Sequence, residues 1–157
     1  MRFGSYGAID YLCQTAPTVC TAFQRLCAYY PLINDSVILA TEKGRGDWGL
    51  YLGSHVGKLL PQMIDFVLAT IVLHTRWCWR MDWVPQRVEL PYHEPKELEE
   101  HRRIFRCEIE FGRPAARLLI PLDLWKTPLS TSDPGLLKVL EEWASTLMAL
   151  HPPPHDA

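Results

Sequence analysis

Apolar residues recur at helical spacing in three parts of the 157-residue chain. The first helix is expected to begin at Pro17 and to end at Pro31, with an apolar stripe made of Val19, Phe23, Leu26, Cys27 and Tyr30. A second helix begins at Pro61 and runs to about Met81, and because it is apolar on nearly every side we expect it at the centre of the domain. The last helix has Asp133 as its N-cap and a stripe made of Leu136, Leu137, Leu140, Trp143, Leu147 and Leu150.

Other segments have the β-branched or alternating apolar residues that are typical of strands. Residues 36–41 and 48–52 flank a glycine-containing turn, which predicts a β-hairpin. Three later strands are predicted at 87–92, 107–111 and 117–122. A short helix over 96–105 separates the first two of these, and it contains the possible i,i+4 pairs Glu97–His101 and Glu99–Arg103.

The order of these elements predicts the fold class. Residues 107–111 and 117–122 are too close in sequence for a helical crossover between them, so we expect antiparallel pairing. Helices and strands are interspersed, which predicts an α+β fold: a single domain over residues 1–150, with helices packed against an antiparallel sheet. Residues 1–16 are expected to form a turn-rich lead-in or a short helix, and residues 151–157 a flexible proline-rich tail.

Composition narrows the class of protein. Apolar residues make up 48% and charged residues 22%, as in an ordinary globular domain. The net charge of -2 does not suit a DNA-binding surface. The start of the chain lacks a signal-peptide pattern, and the apolar run at 64–72 is too short to span a membrane. Five cysteines without a C-x-x-C pair are typical of a reduced protein, so we expect a cytoplasmic protein without a membrane partner.

Two short motifs resemble those of a known family. The first consists of Trp83, Pro85 and Val88 followed by His93 and Pro95, and the second of Phe111, Gly112 and Pro114 followed by Pro128 and Leu129. With Ala16, Pro17 and Thr18 opening a helix before a hairpin, the chain resembles the N-terminal "arabinose-binding" effector domain of AraC-type bacterial transcription regulators. The chain departs from the family at His101, where a tyrosine is usual, and at Ala116, where an asparagine is usual.

The resemblance implies a ligand-sensing domain of a bacterial transcription regulator, and not an enzyme. It implies a small organic effector, a homodimer, and control of DNA through a helix-turn-helix half that is absent from this chain. The last helix leads toward that half and is the expected dimer or relay surface. No cofactor is expected.

Helix phase and apolar density predict where the effector binds. We expect a mainly apolar pocket between the sheet and the helix from Pro61 to Met81, lined by Trp48, Tyr51, Phe66, Thr70, His74, Trp77 and Trp83. Arg76 and Arg80 are four residues apart and could hold an anionic group, as in R-x-x-x-R cyclic-dinucleotide sensors. The alternative is a helix end whose tryptophans cover the core while the arginines reach solvent.

Catalytic and metal sites find little support in the sequence. Cys20 and Cys27 lie two helical turns apart, too far to share one metal ion, and the histidines lack metal-ligand spacing. His93 could act as a general base, but the sequence offers no convincing nucleophile to pair with it. We therefore predict neither a catalytic residue nor a metal site. Two alternatives stay open: an interaction or dimerisation module without an effector, and a small hydrolase or thiol enzyme with a low-pKa cysteine.

Overall fold

A computed structural model of the protein describes residues 7–152. In chain order its helices and strands are α1 (Ala8–Thr15), α2 (Val19–Tyr29), β1 (Val37–Lys43), β2 (Asp47–Ser54), α3 (Pro61–Cys78), β3 (Arg87–Glu89), α4 (Glu99–Phe105), β4 (Glu108–Glu110), β5 (Ala116–Pro121), α5 (Leu122–Trp125) and α6 (Pro134–Leu150). A 3₁₀ turn, Tyr30–Leu32, follows α2. The short helix expected near the start is therefore α1, while the tail predicted at 151–157 lies largely outside the described residues.

The five strands form one sheet in the order β1-β2-β5-β3-β4, which confirms the α+β fold. All neighbouring strands are antiparallel except β3 and β4, which are parallel. The expectation of a wholly antiparallel sheet is thus wrong at this edge. Residues 90–107, which include α4, are long enough to carry the chain back for a parallel pairing. β4 and β5 are close in sequence but are not neighbours, because β5 lies between β2 and β3.

The predicted hairpin is confirmed, with Val37 opposite Ser54 and Lys43 opposite Trp48. Its turn is closed by the Gly44 N–H, which donates to the Asp47 carbonyl at 3.0 Å. Later in the chain, the Asp133 carboxylate accepts a hydrogen bond from the Leu136 N–H at 3.0 Å. Asp133 is therefore the N-cap of α6, as its residue type predicts.

Three helix boundaries differ from the expected ones. Thr18 caps α2 by accepting from the Thr21 N–H at 3.2 Å, so Pro17 precedes the cap. α3 ends at Cys78 and not near Met81, because Arg80 has a left-handed backbone with φ of 51°.

The short helix α4 begins at Glu99, three residues later than expected. The two pairs predicted within it are replaced by others: Arg103 binds Glu100 at 2.7 Å, and His101 reaches across to Asp65 of α3.

The core is rich in tryptophan. Its aromatic cluster consists of Phe23, Trp48, Trp79, Trp83 and Trp125. Phe23 stacks on Trp125 with ring centres 5.9 Å apart and meets the edge of Trp79 at 5.2 Å. Because these rings come from α2, the hairpin, the end of α3 and α5, the aromatic cluster joins the helical layer to the sheet.

Two helices keep an apolar face in solvent. The sequence predicted that α3 would be buried on nearly every side. In the structure one side of the helix is exposed, with Met63, Phe66, Leu73 and Trp77. α6 buries only Ala144, while Leu136, Val139, Trp143 and Leu150 are exposed. No helix within residues 7–152 has the length and apolarity needed to cross a membrane.

Candidate functional site

The seven residues predicted to bind an effector do not share one cavity. Trp48 stacks on Trp125 at 4.7 Å, and Trp83 is buried in the same aromatic cluster. Phe66 and Trp77 have exposed side chains on α3. The other three, Tyr51, Thr70 and His74, line two separate openings.

Tyr51 lines the more spacious of these two openings, which we call the Tyr51 cleft. Its volume of about 400 Å³ lies within the range of small-molecule pockets. The walls are β2, the loop that follows it, the first turn of α3, and the two turns before α4 and β5. The residues that form them are Tyr51, Leu52, Gly53, Ser54, Gly57, Lys58, Leu59, Pro61, Ile64, Pro91, Tyr92, Pro114, Ala115 and Ala116.

The Tyr51 side chain is held by its neighbours on the sheet. The Arg117 guanidinium lies 5.8 Å from the centre of the Tyr51 ring and also binds Glu42 at 2.8 Å. The ring lies over Gly53, where an added Cβ would approach the phenolic oxygen to 2.5 Å. Gly53 therefore leaves room for the ring, and the Tyr51 hydroxyl is positioned at the cleft.

Further polar groups line the Tyr51 cleft. Ser54 donates to the Ser36 carbonyl at 3.2 Å and accepts from the Val56 N–H at 3.1 Å, so its hydroxyl helps to order the loop. Lys58 is exposed on that loop. None of the described residues that line the Tyr51 cleft is acidic, so its only formal charge is positive. The arrangement suits a ligand that has an apolar part and an anionic group.

A polar cluster lies beside Tyr92 at the edge of the Tyr51 cleft. The Tyr92 hydroxyl donates to the Asp65 carboxylate, and the His101 Nε2 is 3.2 Å from Asp65 and 3.3 Å from Tyr92. Burial first, and then the hydrogen bond to Asp65 and its negative charge, raise the pKa of Tyr92 above its ordinary value. The cluster links α3 to α4 and fixes the Tyr92 ring at the cleft.

Sequence reasoning missed this polar cluster. A lone carboxylate, Asp65, within an otherwise apolar helical run was the available signal, since a charged residue there needs a partner. His101 stood out as a departure from the family pattern, and it is the residue that contacts Asp65.

The two arginines predicted to bind an anion lie in different surroundings. The Arg76 guanidinium donates to the carbonyls of Trp83 at 2.8 Å and Ile104 at 2.6 Å, which ties the end of α3 to α4. Arg80 is exposed and lies beyond the end of α3, so the two do not share a helix face. Both arginines nevertheless line one surface opening of about 540 Å³, together with Trp77.

Thr70 and His74 line a second opening, a buried cavity of about 30 Å³ between α1, α2 and α3. There His74 Nε2 lies 2.6 Å from the Asp10 carboxylate, and both side chains are almost fully buried. Cys13 and Cys78 line the same cavity. It is too small for an organic effector, but it has room for one water molecule.

All five cysteines are fully or partly buried. Burial raises the pKa of Cys78 and of Cys27 to about 12, and that of Cys107 to about 11. It also raises the pKa of Cys13 and of Cys20. A nucleophilic thiol has a lowered pKa, so the raised pKa values give no support to the thiol-enzyme alternative.

Comparison with known proteins identifies the class of domain. Residues 1–129 match the family described as the arabinose-binding domain of AraC transcription regulators, N-terminal. The match covers most of the 157 residues, and the chain belongs to this family of regulatory domains.

A crystal structure with a similar fold is that of the transcriptional regulator CdpR from Pseudomonas aeruginosa, with a TM-score of 0.66 and 16% sequence identity. The alignment covers 94% of this chain and 51% of CdpR, so the chain spans about half the length of that regulator. A search of curated proteins found no significant match.

Proposed function

We propose that this domain senses a small organic effector with an anionic group, which binds in the Tyr51 cleft. The observation that carries the proposal is an opening of about 400 Å³ with apolar walls, phenolic and hydroxyl groups and one cation. Lys58 would pair with the anionic group, while Tyr51 and Tyr92 would contact the rest of the molecule.

The effector would act by changing the populations of two states of a bacterial cytoplasmic regulator. An effector shifts such an equilibrium only by its difference in affinity for the two states. The loop at 55–60 lines the Tyr51 cleft and precedes α3, so effector binding there would favour one position of α3. A DNA-binding half outside this chain would then respond at its operator.

A thermal-shift screen of amino acids, sugars, fatty acids and cyclic dinucleotides tests the effector proposal. A ligand that binds only the native state stabilises it by about 2.7 kcal/mol at a hundred times its Kd. We expect acidic compounds to raise the Tm of the wild type and of the control Lys96→Gln, and to raise that of Lys58→Gln much less. Equal shifts in all three proteins, or none in any, would refute binding at the Tyr51 cleft.

Our second proposal is a homodimer formed through α6. The same dimer would be the function of the domain if it is an interaction module that binds no effector. Leu136, Trp143 and Leu150 are spaced by seven residues, with Val139 between the first two, as in a coiled-coil seam. In the single chain, Leu136 is 41% exposed, Val139 61%, Trp143 46% and Leu150 67%. An apolar stripe of this kind is typical of a helix that pairs with another helix.

Sedimentation of three proteins tests the dimer. We expect the wild type and Lys138→Glu, whose change is on another side of α6, to be dimers at micromolar concentration. Trp143→Glu should be a monomer because it places a charge in the seam. A monomeric wild type, or a dimer that survives Trp143→Glu, would exclude α6 as the interface.

A further inference from the structure

The buried cavity between α1, α2 and α3 brings three different metal-binding side chains together. Asp10, His74 and Cys78 place a carboxylate oxygen, an imidazole nitrogen and a thiol sulfur within 4.8 Å of one another. All three residues are buried. Within residues 7–152 this is the one set of at least three such side chains whose ligand atoms gather so closely.

Helix geometry explains why these residues meet. His74 and Cys78 are four residues apart on α3, so both side chains project from one face of the helix. Asp10 lies on α1, which packs against α3, and its carboxylate faces His74 at 2.6 Å. Two ligands from one helical turn and a third from a neighbouring helix are a common way to build a metal site in a helical layer.

The Asp10–His74 pair is shielded from solvent and borders a small cavity. The side chain of Asp10 is 2% exposed and that of His74 is 8% exposed. Removing a carboxylate from water is unfavourable unless it is paired or binds a metal. The His74 contact already pairs Asp10, and a metal ion would take the place of that contact. The adjoining cavity of about 30 Å³ has the volume of one water molecule, which could occupy a further coordination position.

We propose that Asp10, His74 and Cys78 bind a zinc ion, with a water molecule as the fourth ligand. Carboxylate oxygen, imidazole nitrogen and thiolate sulfur are the ligand types that zinc prefers. In a tetrahedral zinc site the ligand atoms lie roughly 3.3–3.8 Å apart. The His74–Asp10 pair would open by less than about 1 Å and Cys78 would move closer, changes within the reach of side-chain rotation.

Binding of the ion has two consequences. The Cys78 thiol must lose its proton to become a ligand, and the proton between His74 Nε2 and the Asp10 carboxylate must leave Nε2, to Nδ1 or to solvent. Zinc binding therefore releases at least one proton to solvent. The ion would then connect α1 directly to α3. Because metal binding stabilises the folded state only, the zinc-loaded domain would be more stable than the metal-free domain.

Cobalt substitution tests the site in the intact chain without a purification tag. Co²⁺ added during refolding should give equimolar binding, a thiolate-to-cobalt charge-transfer band and the intense visible bands of tetrahedral cobalt. Zn²⁺ should abolish these bands by displacement. Cys78→Ser should lose the charge-transfer band and bind Co²⁺ more than about 10-fold more weakly, the least effect expected for the loss of a direct ligand. The matched control Cys107→Ser, outside the cavity, should behave as the wild type.

Two results would overturn the proposal. The first is a wild-type protein that gives no thiolate-to-cobalt band, which needs no variant to fold. The second is a band of unchanged intensity in Cys78→Ser, which would assign the thiolate to another cysteine. His74→Gln should also weaken Co²⁺ binding, and circular dichroism of each variant separates loss of the metal from loss of the fold.

Discussion

The aromatic cluster and the Tyr51 cleft both contain aromatic side chains, but they differ in how their space is filled. In the aromatic cluster, five rings pack against one another with centres 4.7–6.1 Å apart. In the Tyr51 cleft, aromatic rings border about 400 Å³ of open space. Aromatic density in a sequence therefore indicates a core or a pocket equally well, and packing decides between them.

The two regions also differ in whether their polar atoms already have hydrogen-bond partners within the protein. Trp79 Nε1 donates to the Cys13 carbonyl at 3.0 Å, and Trp83 Nε1 donates to Thr75 at 3.0 Å. These indoles thus use their only donors within the protein. In the Tyr51 cleft the hydroxyls of Ser54 and Tyr92 already have partners within the protein, so the exposed Lys58 and the Tyr51 hydroxyl are the polar groups that a ligand would meet.

The largest expected effect on stability distinguishes two tryptophans at the end of α3. Trp79 is 1% exposed and Trp77 is 53% exposed. Trp79→Ala removes ring contacts and the hydrogen bond to Cys13, so we expect it to lower the free energy of unfolding by about 3–5 kcal/mol. Trp77→Ala should lower it by less than about 1 kcal/mol. Urea titration followed by circular dichroism measures both, and similar losses would contradict the assignment of Trp79 alone to the core.

The elements that were predicted correctly are those that local sequence determines. The hairpin follows from its glycine turn, and the start of α6 follows from Asp133 before a helical stripe. The parallel pairing of β3 with β4 was missed because strand order depends on long-range packing, which the short segments 87–89 and 108–110 do not encode.

The candidate site was harder to predict for the same reason. Of the residues predicted to bind an effector, Tyr51 alone lines the Tyr51 cleft. The walls come from chain segments near 51–61, 91–92 and 114–116, which the sheet brings together. Helix phase within α3 could not reveal this assembly, since only Pro61 and Ile64 of that helix take part.

An effect of intermediate size on stability is expected at alkaline pH, and it comes from Tyr92 at the edge of the Tyr51 cleft. Its pKa is raised in the folded state by burial and by Asp65, so the folded protein holds the phenolic proton more tightly than the unfolded chain. This contribution to stability is complete below the ordinary tyrosine pKa of about 10 and is lost as the pH rises above it. The loss is at most about 1.4 kcal/mol per pH unit.

Urea titrations between neutral and alkaline pH test the role of Tyr92. Tyr92→Phe should have a flatter dependence of stability on alkaline pH than the wild type. Asp65→Asn should have an intermediate slope, because burial continues to raise the pKa of Tyr92 after the charge is removed. Identical slopes in the three proteins would show that Tyr92 is not held by this cluster.

The smallest effect on stability should come from two glycines of β2. A Cβ at Gly49 meets only the Glu42 carbonyl at 3.8 Å, an ordinary contact, whereas a Cβ at Gly53 would collide with the Tyr51 ring. Gly53→Ala should therefore displace the ring into the Tyr51 cleft, lower the free energy of unfolding by about 1 kcal/mol, and change the NMR signals of Tyr51. Gly49→Ala should leave those signals unchanged.

If the open cleft binds the effector, Gly53→Ala should also reduce the Tm shift that a stabilising compound produces, and Gly49→Ala should not. An undiminished shift in Gly53→Ala would mean that the open space beside Tyr51 is not where the compound binds.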